Sequence, residues 1–228
     1  MTITSTEGVV LSSKISSEAD IIASVFTETE GLTRFIIKGL KKSKKRDISA
    51  SDPGTLLNIS FYKKTGSSIY YANNFSVIRH NIGNSITYEN SMNAFLILEL
   101  IMKSSAPHMP HLYTYLMLKK AIESVCVTQF PFHLSLAFFC HLIKQQGILP
   151  DPLSFPVIKD RNRSFKMNIN DNGFVFLKTA LTNKFDNIAC SLFNEKDIKQ
   201  TLYTLIIYFE NYYHIEILSK STLFNEKV

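Results

Sequence analysis

The sequence predicts an α+β chain: a small closed β-barrel of five strands, followed by a mostly α-helical bundle domain with a small β-hairpin inserted in it. Three observations predict it. Short β-prone runs separated by turn residues occupy residues 8–78, apolar residues recur at helical spacing beyond that, and the helical signal lapses between Pro150 and Phe185. With 228 residues and 45% hydrophobic side chains, the chain can fill one large core or two smaller ones.

The five strand-like runs are Val9 to Ile15, Asp20 to Thr27, Leu32 to Ile37, Thr55 to Tyr62 and Ser68 to Ile78, with Glu30-Gly31 and Thr65-Gly66 as turn signals. In the fourth run Leu57, Ile59 and Phe61 alternate with Asn58, Ser60 and Tyr62, the period of a strand with one buried face. Five short strands in so few residues suit an OB-fold, the five-stranded barrel widely used to hold single-stranded nucleic acid. A barrel over residues 1–80 and a helical domain over 81–228 are therefore expected.

Past Asn81-Ile82-Gly83-Asn84 the period changes. Ser85 to Lys103 is apolar on most sides from Phe95 onward, which predicts a buried helix. Leu112, Tyr115, Leu118, Ile122 and Val125 recur at helical spacing behind Pro107 and Pro110, and a third helix spans Phe132 to Gln146, stopping at Gly147 with Pro150 beyond. The hairpin insertion is expected at about 150–178, with Ser164 to Leu177 turning at Asn172-Gly173. The last helix starts at Asn194, carries Asp197 three positions on, and places Ile198, Leu202, Leu205, Phe209 and Tyr213 on one face.

Several function classes are disfavoured. The longest apolar stretch, Leu134 to Ile143, is ten residues long and contains His141, against the roughly 18–20 needed to cross a bilayer, so no membrane span is expected. The opening MTITSTEGVVLSSK has neither a basic leader nor a long apolar region, and a cytoplasmic, nucleoid-associated location is expected. Cys126, Cys140 and Cys190 are widely spaced in apolar settings, which reads as small hydrophobes and not as a disulfide framework. His108 and His111 flank Pro110 with no thiol or carboxylate close in sequence, and Cys140-His141 are adjacent on a helix, about 100° apart, where they cannot act as nucleophile and base. No Gly-rich phosphate loop is present, so neither an enzyme, a cofactor nor a small-molecule substrate is expected.

Charge is informative through its position. Between Arg34 and Lys64 lie nine basic residues against two acidic ones, while the rest of the chain carries 16 basic and 17 acidic residues. A nearly neutral chain with one concentrated positive segment points to a polyanion at that segment. The cations are Arg34, Lys38, Lys41, Lys42, Lys44, Lys45, Arg46, Lys63 and Lys64. Six of them crowd into nine residues, Lys38 to Arg46, where mutual repulsion is relieved when phosphates bind and release counterions. Tyr62 and Tyr70 are the outward aromatic candidates for stacking on bases.

Several strings resemble the RecO family of DNA repair mediators. They are Ser17-Glu18 before the second strand, Phe26-Thr27 followed by Glu28 and Gly31, Lys38-Gly39 leading into the basic run Lys41 to Lys45, Ala94 to Met102 with Glu99-Leu100, and the closing LSKSTLF, Leu218 to Phe224. The resemblance implies a barrel that binds single- and double-stranded DNA and promotes annealing of complementary strands, and a helical domain that docks RecR and single-strand binding protein so that RecA is loaded. Many RecO proteins insert a four-cysteine zinc module in the helical domain; Pro150 to Leu177 contains no cysteine, so no zinc is expected. The resemblance also implies a pocket for the acidic, hydrophobic-tipped C-terminal tail of single-strand binding protein. Such a ligand needs apolar walls and cations at the rim, which nominates Tyr115, Phe132 and Phe139 with Lys119, Lys120 and Lys144. The alternative reading is an OB-type RNA- or ribosome-binding accessory factor.

Overall fold

A computed structural model of the chain describes residues 3–63, 66–83, 86–150, 157–160, 163–166, 169–183 and 190–224. Its N-terminal strands are β1 (Ile3–Ile15), β2 (Ile21–Thr27), β3 (Gly31–Ile37), β4 (Leu56–Tyr62) and β5 (Ile69–Arg79). They close into a barrel in the order β1-β2-β3-β5-β4. All neighbours pair antiparallel except β3 with β5, which run parallel over Arg34–Ile36 and Ile69–Tyr71. This is the five-stranded barrel that the sequence predicts.

Alternation builds the barrel core. In β3, Thr33, Phe35 and Ile37 are buried while Arg34 faces solvent; in β4, Leu57, Ile59 and Phe61 point inward. Phe35 and Phe61 meet edge to face with centroids 5.2 Å apart, and Tyr70 stacks on Phe61 at 5.1 Å and 10°. Such aromatic pairs contribute about 0.5–1.5 kcal/mol each beyond the area they bury.

Two compact units divide the chain: residues 1–86 with 98–123, and residues 87–97 with 124–228. Helix α1 (Tyr88–Ser104) contributes to both; α2 (Leu112–Val125) falls almost wholly in the first. The second unit holds α3 (Pro131–Gln145), α4 (Asp171–Thr182), α5 (Glu195–Tyr213) and α6 (Leu218–Leu223). Helix α3 is buried on nearly every side, and its Phe139 meets Phe209 of α5 edge to face at 5.3 Å. Asn194 caps α5, its side chain accepting from the Lys196 amide. Among the described residues, no helix is long and apolar enough to cross a membrane.

One expectation fails locally. The β-hairpin is formed by β6 (Val157–Asp160) and β7 (Arg163–Lys166), and Asn172-Gly173 is not its turn but part of the first turn of α4. Asn170 is the cap, accepting from the Gly173 amide at 2.8 Å. Gly173 is required for a second reason: a Cβ there would lie 2.1 Å from the Thr201 hydroxyl of α5. The Asn-Gly pair marks a cap and a close helix approach, which read like a hairpin turn when only neighbouring residues are considered.

Candidate nucleic-acid interface

The basic loop after β3 is held to the barrel by a few specific contacts. Leu40 is fully buried in the barrel core, so the loop is pinned at its middle. The Gly39 amide donates to the Asp20 carboxylate at 2.8 Å and the Lys41 amide to the Ala19 carbonyl at 3.1 Å. Ser43 accepts from the Lys45 and Arg46 amides, and the Arg46 guanidinium donates back to the Lys38 carbonyl at 2.9 Å. The lysine side chains are thereby displayed on a fixed backbone.

Arg34, Lys38, Lys41, Lys42, Lys44, Lys45, Arg46 and Lys63 are all exposed. Two are partly neutralised: Lys42 pairs with Glu18 at 2.8 Å, and Lys63 pairs with Glu30 at 2.9 Å. The hydrogen bond and charge of Glu30 hold the Lys63 ammonium above its ordinary pKa. Lys41, Lys44 and Lys45 make no ion pair among the described residues, so their charge is available to an incoming phosphate. Lys64 lies outside the described residues.

The aromatic candidates separate. Tyr62 is half-buried at the end of β4, whereas Tyr70 is only 5% exposed and belongs to the core, so it is not an outward stacking ring. Its neighbour Tyr71 takes that place, 46% exposed with the Lys38 ammonium 5.0 Å from its centroid. Two adjacent tyrosines give no alternation from which to choose the inward one. The choice is made by the parallel pairing with β3, which sets Tyr70 beside Phe35.

Arg34 stands on the outer face of β3 opposite Ser24 of β2. It lines two hollows, one with Lys14 of β1 and one with His108. In the same unit, Glu7 of β1 accepts from the Tyr115 hydroxyl and from the Lys119 ammonium, the latter at 2.6 Å. Burial alone would raise the Glu7 pKa, but the Lys119 and Tyr115 hydrogen bonds and the Lys119 charge outweigh it and hold the carboxyl below its ordinary value.

The rings nominated for a partner pocket are not exposed to line one. Tyr115, Phe132 and Phe139 are almost fully buried, so they are core rings and not pocket walls. Tyr115, Lys119 and Lys120 fall in the first unit, and Phe132, Phe139 and Lys144 in the second. Helix α3 is buried on nearly every side because it runs through a core, and that burial hides its rings. The second unit has a different pocket of about 150 Å³, walled by Phe174, Leu177 and Leu181 of α4, Leu205 of α5, and Leu149 and Pro150. Exposed Lys178 also lines it, and Lys144 reaches the carbonyl of its wall residue Leu181 at 3.5 Å. Sequence reasoning misses this pocket because α4 reads as the second half of a hairpin.

The thiols are poorly suited to nucleophilic chemistry. Burial pushes the Cys126 thiol up to about 11 and the fully enclosed Cys140 thiol higher still.

Residues 1–81 match the family model described as "Recombination protein O N terminal". Among curated proteins, the chain is 24% identical over 130 residues to DNA repair protein RecO of Chlorobaculum parvum, covering 57% of this chain and 50% of that protein. It is 27% identical over 125 residues to DNA repair protein RecO of Thermoanaerobacter sp., covering 55% and 50%. A shorter match, 32% identical over 75 residues, links it to DNA repair protein RecO of Caldanaerobacter subterraneus, covering 33% and 30%. The matched stretch thus spans half or less of the length of each of these relatives.

Proposed function

We propose that this chain, whose first 81 residues match the recombination protein O N-terminal model and which is similar to DNA repair proteins named RecO, is a DNA repair mediator whose barrel binds single- and double-stranded DNA and promotes annealing of complementary strands. The observation that carries this reading is the loop of uncompensated cations, Lys41, Lys44 and Lys45, fixed to the barrel by buried Leu40. Annealing requires no covalent step. Two strands repel through their phosphates, and cations that neutralise some of that charge while leaving base edges free lower the barrier to pairing.

The second unit, in this reading, docks partners: RecR and the tail of single-strand binding protein, so that RecA is loaded on the uncovered strand. An acidic peptide with an apolar tip needs an apolar pocket with cations at its rim. The pocket between α4 and α5, with Lys178 lining it and Lys144 bonded to its Leu181 wall, supplies that combination.

The test is annealing of complementary DNA oligonucleotides, bare and coated with single-strand binding protein. The chain should accelerate both, and joint replacement of Lys41, Lys42, Lys44 and Lys45 by Gln should remove most of the acceleration. A quadruple variant that anneals at the parent rate would refute the assignment of the loop.

A further inference from the structure

Two hollows lie next to each other on the outer wall of the barrel, and they differ in chemistry. The first, about 220 Å³, is lined by Ser12, Ser13 and Lys14 of β1, Ile22 and Ser24 of β2, and Arg34 of β3. It offers two cations and three hydroxyls over little apolar surface, which suits a phosphate. The second, about 160 Å³, shares Ser24 and Arg34 with the first. Its other polar groups are Ser68 and His108, and its remaining walls are Leu32, Met102 and Pro107. An apolar slot edged by hydrogen-bonding groups suits a flat, polar-edged ring and not a bare phosphate.

His108 meets this slot through atoms other than its ring nitrogens, and its placement is costly. Both of its ring nitrogens are buried and neither has a hydrogen-bond partner. Leaving such groups unpaired costs roughly 1–3 kcal/mol each. The residue also adopts a left-handed backbone, φ 57°, which a non-glycine side chain tolerates poorly. The conformation is fixed by the His108 amide donating to the Leu32 carbonyl at 3.0 Å, by the bridge between Leu32 and Pro107, and by the Tyr70 ring 5.2 Å from the imidazole.

We propose that a single strand of nucleic acid crosses the β1–β2–β3 wall with a phosphate held between Lys14 and Arg34 and one unstacked base inserted in the pocket of His108, Ser68 and Arg34. This deepens the DNA-binding reading above and rests on it. The lysine loop then supplies charge along the strand, while the His108 pocket holds a base. The pocket makes single strands preferable to duplex, in which no base is free to enter.

The experiment compares binding of an oligothymidylate with that of an oligonucleotide of equal length carrying abasic sites, by fluorescence anisotropy. The parent chain should favour the base-bearing strand by about tenfold, the weight of one well-held base. His108→Gly, which relaxes the left-handed backbone, should cut that ratio by about threefold or more, whereas the loop quadruple variant should weaken both ligands and keep the ratio. A His108→Gly chain that keeps the parent ratio overturns the pocket; a parent chain that binds neither strand overturns the DNA-binding reading itself. Photocrosslinking of the unmodified chain to a 5-iodouracil strand needs no variant. Adducts at residues 68 and 102–108 support the pocket, and adducts confined to residues 38–46 overturn it.

Discussion

At the scale of single residues, Glu7 shows how a carboxylate can secure a helix to a barrel strand. It accepts from both Tyr115 and Lys119 of α2, and its depressed pKa means that the folded chain binds this proton less readily than the unfolded one. The stabilisation is therefore fully present above the ordinary glutamate value of about 4.3 and is lost as pH falls through the lower folded value. Glu7→Gln should destabilise the chain by about 1 kcal/mol at neutral pH, with the deficit shrinking toward zero in acid. Melting temperatures of the two chains across pH check it, and a deficit that stays constant down to about pH 3 contradicts it. Lys119 pairs with Glu7 here, a contact that its charge alone does not reveal.

At the scale of elements, the legibility of the sequence follows from how local each signal is. The barrel strands were readable because alternation in β4 and turn residues between strands are properties of neighbours, and α5 was readable from Asn194 and its apolar stripe. Helix α4 was not, because Asn170 as cap and Gly173 as the point of approach to Thr201 acquire meaning only when α5 is present. The inward direction of Tyr70 is hidden for a similar reason, since it is set by pairing with β3, remote in sequence. The charge of the loop was legible, but the pairing of Lys42 with Glu18 and of Lys63 with Glu30 needed the fold. Helix α4 also brings a prediction. An acidic, apolar-tipped peptide should bind its pocket, and Lys178→Glu should weaken that binding about tenfold or more, while Lys120→Glu should leave it unchanged. Anisotropy of a labelled peptide measures both; equal affinities for Lys178→Glu and the parent chain contradict the pocket assignment.

At the scale of the molecule, the two compact units hold different recognition chemistry. The first contains the basic loop and the Arg34 hollows, and the second contains the apolar pocket lined by Lys178. The proposed mediator would need such a division, one surface for a polyanion and another for a protein partner. Phosphate binding by the fixed lysine loop would show in the salt dependence of single-strand affinity, compared between the parent chain and the Lys41, Lys42, Lys44, Lys45→Gln variant. Each phosphate contact contributes a slope of about −0.7 in log affinity against log salt, so the variant should be shallower by about 3 if all four lysines engage. Equal slopes for the two chains would contradict the account.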